Sequence, residues 1–453
     1  MAKNKYEIDM CNGTIMDKLI SFALPLMLSG ILQLMFNAVD TIVVGRFSGS
    51  EALAAVGSTT ALIGIFTNLF IGISLGANVL AARFFAAGRH EEMSKTVHTA
   101  ILFALISGIV MAFIGVVMAK GALELMGTPD DVINLSSLYM RIYFLGMPFF
   151  MLYNYGAAIL RAVGDTKRPL FFLIISGVTN ALLNMFLVIE FHMGVAGVAI
   201  ATVVSQMISC VLVLSCLCKT DASYKLSFSK LAIEKEYLVP IFQVGVPAGI
   251  QSVVINFSNA LLQSSVNSFG SIAMAGYTAA NNILGFLYVS INSVSQACMS
   301  FTSQNYGVGK YKRMDRILID CLILSVSIAL VIGSGAYFFG NQILQIYTEE
   351  PEVIRCGVEI LSITTVPYFL CGIMDLFPGA LRGMGYSTVP MILSIIGTVG
   401  MRILWIFVFF PQHRSLYFLF ISYPGSWTAT IVMQVICFLL VRKHVRQGVT
   451  IQE

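Results

Sequence analysis

Long apolar stretches separated by short polar connectors follow one another along the whole 453-residue chain. Residues 100–119, for example, contain no charged side chain. About 20 apolar residues are enough to cross a bilayer as a helix, which pairs its backbone hydrogen-bonding groups internally. We therefore predict an all-α polytopic membrane protein with twelve transmembrane helices. The predicted spans are residues 16–44, 52–82, 95–119, 136–160, 168–190, 193–217, 238–268, 272–300, 316–339, 354–380, 387–410 and 416–441.

The second half of the chain repeats the first at an offset of 221–222 residues. The segment 159–165 recurs as 380–386, and Pro25 recurs as Pro247. Each repeat holds six predicted spans, an even number, so both repeats have the same orientation in the membrane. This plan suits alternating access between two lobes; the alternative is a duplicated helical bundle without transport activity. The predicted parts are an N-terminal six-helix lobe (1–218), a cytoplasmic linker (219–236) and a C-terminal six-helix lobe (237–453).

Composition and charge agree with a membrane location. Only 11% of residues are charged, whereas a soluble protein normally has about a quarter. Lysine and arginine in the connectors and termini fall on one predicted side of the membrane by 21 to 4. By the positive-inside rule, we expect a multi-pass protein of the plasma (cytoplasmic) membrane with cytoplasmic N- and C-termini. The net charge of +4 follows from this topology and does not indicate nucleic-acid binding.

Few ionisable side chains occur at membrane depth, where their cost makes each a functional candidate. Asp40 shares one helical face of the first span with Gln33 and Asn37. Polar side chains also share single faces of the fifth span (Ser176, Asn180 and Asn184) and of the sixth (Thr202, Ser205, Gln206 and Ser209).

An acid among amide and hydroxyl groups can couple transport to an ion in two ways. Deprotonated, Asp40 offers hard oxygen ligands to a small cation such as Na⁺, and in its apolar setting it can instead carry a proton. The alternative is a buried acid that only joins helices through hydrogen bonds. We favour coupling, because an amide would join helices at a lower cost.

The second half is polar at the same depth but lacks the matching acid, because Leu262 occupies the place of Asp40. Its membrane acid is Asp375 in the tenth span, which can be a second titrating group, a substrate contact or the cap of a broken helix. Arg402 in the eleventh span needs a partner, and Asp375 is the candidate by charge. The residues predicted to line a substrate cavity are Gln33, Gln206, Asn256, Asn259, Tyr277, Asn281 and Asp375.

Segments along nearly the whole chain resemble motifs of the multidrug and toxic compound extrusion (MATE) transporters, and especially the prokaryotic DinF-like branch. The matching segments are Pro25 with Asn37–Thr41, Leu160–Asp165, Asn180 and Asn184 with Gly194–Thr202, Leu381–Gly385, and Arg402 with Tyr423–Trp427. The resemblance implies a MATE-like fold of twelve transmembrane helices. It also implies export of amphipathic, often cationic compounds, driven by inward H⁺ or Na⁺.

The resemblance further implies where the ion couples. Groups of helices 1, 5 and 6 form the coupling site of that branch, and they carry over to Asp40, Asn180, Asn184 and Thr202, which would be the Na⁺ site. With Asn37, these four make up the predicted cation-coupling set. One departure is Asn184, where the branch often has Asp. Another branch has acids at the positions of Ile255 and Cys371, so its C-terminal cation site is not expected here.

We predict a secondary active antiporter that exports cationic or neutral drugs or metabolites, with no cofactor beyond the coupling ion, H⁺ or Na⁺. The alternative is a flippase of the same superfamily for a lipid-linked or lipid-like substrate, which would be expected to carry several Lys or Arg in its cavity. An enzyme is disfavoured, because no nucleophile arrangement, paired-acid motif or His cluster occurs. The expected partners are small-molecule substrates and the lipid bilayer, without nucleic acid, and the protein is expected to be a monomer.

Overall fold

The protein is predominantly helical in residues 6–447, the part of the chain that the computed structural model describes. Ten helical segments are each long and apolar enough to cross a membrane, one of them the continuous stretch Thr388–Gln412, and two bent helix pairs add one crossing each. No β-strand occurs in residues 6–447. The predicted all-α membrane fold with twelve spans is therefore confirmed.

The helices follow the predicted spans closely. They are α1 Met16–Phe47, α2 Gly49–Ala86, α3 His90–Leu125, α4 Ile133–Leu145, α5 Met147–Ala162, α6 Lys167–Met185, α7 Gly194–Lys219, α8 Lys235–Asn267, α9 Ser271–Gly307, α10 Tyr311–Phe338, α11 Gly340–Gln345, α12 Pro351–Thr364, α13 Tyr368–Gly383, α14 Thr388–Ser394, α15 Met401–Leu404, α16 Leu416–Phe420 and α17 Ser422–Arg446. Wider π-helical turns continue α6 over Phe186–Glu190 and flank α15 over Ile395–Gly400 and Trp405–Phe409.

The bent pairs lie at equivalent places in the two repeats. Helices α4 and α5 meet at 46°, with Pro148 in the first turn of α5. Helices α12 and α13 meet at 52°, with Pro367 just before α13. Proline lacks a backbone N–H and its ring collides with the preceding turn, so each span breaks at its proline.

The repeat is also visible in the backbone, at two pairs of helix-ending glycines. Gly88 and Gly309 have φ of 68° and 70°, and Gly164 and Gly385 have φ of 92° and 97°. After each glycine, the next residue donates its N–H to the carbonyl five residues earlier, at 2.9–3.0 Å. This closure of a helix requires positive φ, which glycine adopts without a Cβ clash.

Close packing divides the chain into two units. The first comprises residues 6–9 and 28–246, and the second comprises residues 10–27 and 247–447. The beginning of α1 thus belongs to the second unit, and the beginning of α8 belongs to the first. In both helices, the boundary between the two units falls beside one of the equivalent prolines, Pro25 in α1 and Pro247 in α8. The units therefore differ from the sequential lobes 1–218 and 237–453 at these two segments.

The connector after α7 is held against α3 within the first unit. The backbone N–H of Ser227 donates to Nε2 of the buried His98 at 3.0 Å, and Nδ1 of His98 contacts the carbonyl of Ser94 at 2.6 Å. One residue on, the hydroxyl of Thr99 donates to the carbonyl of Ala232 at 3.2 Å. These contacts give the predicted linker a fixed path beside α3.

Candidate functional site

Three of the predicted coupling residues meet in the first unit. Asn184 of α6 donates from its amide nitrogen both to the carboxylate of Asp40 in α1 and to the side-chain oxygen of Asn180, the latter at 3.3 Å. Asn184 is fully buried, Asn180 is 5% exposed and Asp40 is half-buried. The two asparagines are four residues apart and therefore lie on one face of α6.

A glycine brings α6 close to α1 at this point. A Cβ on Gly177 would lie 1.8 Å from the ring of Phe36, so the ring of α1 fills the space that a side chain of α6 would need. Asn180 follows Gly177 by one turn, and Asp40 follows Phe36 by one turn. The contact between Gly177 and Phe36 therefore sets the distance between the acid and the asparagines.

The cluster has oxygen atoms available for a cation. The side-chain oxygen of Asn184 is buried and has no hydrogen-bond partner within the described chain. Leaving such an acceptor unsatisfied costs about 1–3 kcal/mol. A carboxylate and an amide oxygen are hard ligands that suit Na⁺, and the same carboxylate can take up a proton instead. Within residues 6–447, no cluster of three or more His, Cys, Asp or Glu could hold a metal ion.

The fourth span adds two tyrosines that the sequence analysis did not select. Tyr139 and Tyr143 of α4 lie within electrostatic range of Asp40, and their ring centroids are 6.2 Å apart. Gln206 of α7, predicted to line the cavity, lies close enough to Tyr143 to interact with it electrostatically. The available signal was the spacing of the tyrosines, one helical turn apart near the start of an apolar span.

Other predicted residues of the first unit lie outside this hydrogen-bonded cluster. Asn37 and Gln33 are exposed on α1. The hydroxyl of Thr202 donates to the carbonyl of Val198 in its own helix, at 2.9 Å. The structure thus joins Asp40, Asn180 and Asn184 directly and gives Thr202 a partner within α7.

In the second unit, Arg402 meets Asn259. The guanidinium of Arg402 donates to the side-chain oxygen of Asn259 at 2.7 Å and lies 4.3 Å from the ring centroid of Tyr423. The expected pairing of Arg402 with Asp375 is therefore wrong. Asp375 interacts electrostatically with Arg382, two turns further along α13 and on the same helical face.

The remaining predicted cavity residues are also in the second unit. Tyr277 is buried, with its ring 5.8 Å from that of Phe420. Asn256 and Asn281 are exposed. Asp375 is half-buried, and one of its carboxylate oxygens is buried without a hydrogen-bond partner in the described chain. No hydrogen bond or ion pair joins these four residues into one cluster in residues 6–447.

The comparisons with known proteins agree on one family of transport proteins. The MatE family model matches residues 25–186 and 247–408, two stretches that start 222 residues apart like the internal repeat. The probable multidrug resistance protein YoeA of Bacillus subtilis is 31% identical over 423 residues, which are 91% of each chain. The multidrug export protein MepA of Staphylococcus aureus is 22% identical over 390 residues, 86% of each chain.

Solved structures share the fold. The outward-facing conformation of a multidrug resistance MATE family transporter of the MOP superfamily superposes with a TM-score of 0.89. The superposition covers 98% of this chain and 99% of the other, at 21% sequence identity. At 21% identity, this similarity shows only that the two proteins share a fold.

Proposed function

The chain belongs to the MatE family of multidrug and toxic compound extrusion transporters, and we propose that it is an antiporter that exports amphipathic compounds in exchange for H⁺ or Na⁺. Family membership makes it a multi-pass membrane transporter and not an enzyme. The names of YoeA and MepA, which refer to multidrug resistance and multidrug export, support drugs of varied structure as the cargo. The acid of the first unit supports cationic or neutral cargo.

The observation that carries the coupling proposal is the contact between Asn184 and Asp40 in an apolar helix bundle. The amide of Asn184 stabilises the ionised carboxylate through a charge-assisted hydrogen bond. Its own oxygen, buried and without a partner in the described chain, can turn to a cation that binds the carboxylate. The site therefore suits both an empty, charged state and a neutral, ion-occupied state.

The proposed exchange of ion and cargo follows because both compete for the negative charge of Asp40. An entering H⁺ or Na⁺ neutralises Asp40, which removes the attraction that holds a cationic cargo. An ionised carboxylate at membrane depth is costly unless it is compensated, so either the ion or the cargo stabilises it. By linkage, each ligand lowers the affinity of the protein for the other by the same factor. Binding of the inward ion thus drives release of the exported compound.

The test is transport of the cationic dye ethidium in proteoliposomes that contain the purified chain, under an imposed proton gradient or an imposed sodium gradient. We expect Asp40→Asn to lower gradient-driven transport at least about tenfold, because a neutral amide cannot exchange charge. The gradient that drives wild-type transport identifies the coupling ion. Glu190→Gln, which changes an exposed carboxylate at the end of the fifth span, is the matched control. Undiminished transport by Asp40→Asn would rule out coupling through this acid.

The protein works in the cytoplasmic membrane as a monomer in this proposal, with both termini on the cytoplasmic side. The support for the orientation is the distribution of lysine and arginine, 21 to 4 between the two sides. The same orientation makes the connector after α7 cytoplasmic.

A further inference from the structure

Arg402 carries a charge in the middle of an apolar span. It lies in α15, between two π-helical turns, and only 3% of its surface is exposed. A charged side chain at membrane depth is costly and normally finds a counter-charge or lines a functional site. The π-helical turns also support a functional role for Arg402, because such turns are rare in proteins as a whole but occur frequently at functional sites.

The contacts of Arg402 do not neutralise it. Asn259 accepts one hydrogen bond and Tyr423 presents its ring, and both are uncharged. No ion pair of residues 6–447 involves Arg402, and its buried Nε has no hydrogen-bond partner there. A guanidinium has five N–H donors in a planar fork, so donors and a full positive charge remain for a further group.

The internal repeat relates this pair to the acid cluster of the first unit. At the offset of 222 residues, Asn37 corresponds to Asn259 and Asn180 corresponds to Arg402. Leu262, at the place of Asp40, is fully buried. Equivalent helices therefore hold an acid with asparagines in the first unit and a base with an asparagine in the second.

We propose that Arg402 and Asn259 form an anion subsite that binds a carboxylate, sulfonate or phosphate of an amphipathic compound. The inference rests on the proposed export function and extends its substrate class to compounds with an anionic group, zwitterions included. The guanidinium fork binds such a group through two parallel hydrogen bonds, and the amide of Asn259 can turn to donate another. Tyr423 is half-buried, so rotation of its side chain opens the guanidinium to the ligand.

The test is equilibrium binding of two dyes that differ in one group: rhodamine B, which has a free carboxylate, and its ethyl ester. The full chain is placed in phosphatidylcholine nanodiscs, and binding is followed by fluorescence anisotropy without any gradient. We expect the wild type to bind the acid about tenfold more tightly than the ester, since a charge-assisted hydrogen bond is lost with the ester. Arg402→Gln should abolish this preference, and Arg402→Lys should retain part of it.

A second variant covers the case in which Arg402→Gln does not fold. Asn259→Asp places a carboxylate on the guanidinium, which keeps the pair together and should remove the preference for the acid. Equal binding of both dyes by the wild type, or an unchanged preference in Asn259→Asp, would overturn the subsite. Asp40→Asn should keep the preference, so a failure of ion coupling and a failure of this subsite give different results.

A parallel series in phosphatidylglycerol nanodiscs separates the sources of the anionic group. Weaker rhodamine B binding there than in phosphatidylcholine, in the wild type and not in Arg402→Gln or Asn259→Asp, assigns the subsite to an anionic lipid headgroup. Equal binding in both lipids assigns it to the exported compound. Either result supports an anion-binding site at Arg402.

Discussion

Asp40 and Arg402 are ionisable side chains inside apolar helices, and each is held by an asparagine. The asparagine side chain carries both a donor and an acceptor, so Asn184 donates to the carboxylate of Asp40 and Asn259 accepts from the guanidinium of Arg402. A carboxylate or a lysine in the same place could serve only one sign of charge. Asparagine therefore lets two copies of one repeat hold opposite charges.

The hydrogen bond from Asn184 to Asp40 predicts unequal effects of two asparagine replacements. Asn184→Ala removes the donor of the carboxylate and should lower gradient-driven ethidium transport about tenfold, because a hydrogen bond to a charged group contributes about 1.5–3 kcal/mol. Asn37→Ala, on the same α1 as Asp40 but exposed and outside the hydrogen-bonded cluster, should change transport less than about twofold. Equal losses in both variants would contradict the assignment.

Periodicity in the sequence was enough to place Asn180 and Asn184 on one face and to select Asp40. It could not place Tyr139 and Tyr143, because local spacing does not fix how a helix is rotated against its neighbours. That rotation is set by contacts such as Gly177 against Phe36, which appear only when the helices are packed. The pairing of Arg402 with Asn259 was missed for the same reason.

Helices of the first unit cross at glycines. A Cβ on Gly76 of α2 would lie 2.0 Å from the carbonyl oxygen of Ile241 in α8, and a Cβ on Gly245 would lie 2.5 Å from the Cα of Ile73. The two glycines allow the backbones to touch, as small residues do between membrane helices. This crossing holds the beginning of α8 in the first unit.

Replacement of Gly76 should therefore separate α2 from α8. We expect Gly76→Ala to lower the free energy of unfolding by about 1–3 kcal/mol, since the added methyl group meets a backbone oxygen that cannot rotate away. Thermal unfolding of the purified chain measures the change. Gly57→Ala, in the same helix with nothing within 4 Å of its Cβ, should be neutral or slightly stabilising. A Gly76→Ala protein as stable as the wild type would refute the close crossing.

At the scale of elements, the sequence predicted the number and type of helices but not their interruptions. Apolar length alone identified all twelve spans. The breaks at Pro148 and Pro367 were foreseeable only as sites that permit a kink, since Pro25 stays inside a continuous α1. The π turns around α15 have no local sequence signal, because they depend on how the span packs.

For the whole molecule, charge and packing give two different divisions. The distribution of lysine and arginine predicts two sides of the membrane, whereas close packing separates two units that each contain parts of α1 and α8. The first division is a property of the connectors and the second of the apolar helices. The first division stays a prediction from the sequence. The second cannot be derived from chain order, because the beginnings of α1 and α8 pack in a different unit from the rest of each helix.

The charge asymmetry predicts the orientation of the whole chain. In a variant without the nine native cysteines, single cysteines at two exposed lysines, Lys120→Cys at the end of α3 and Lys225→Cys in the connector after α7, report opposite sides. A membrane-impermeant maleimide should label Lys120→Cys in intact cells and Lys225→Cys only after permeabilisation. The reason is that 21 basic residues resist translocation across the membrane on one side, against 4 on the other. Labelling of Lys225→Cys from outside would invert the topology and place the connector held by His98 outside the cell.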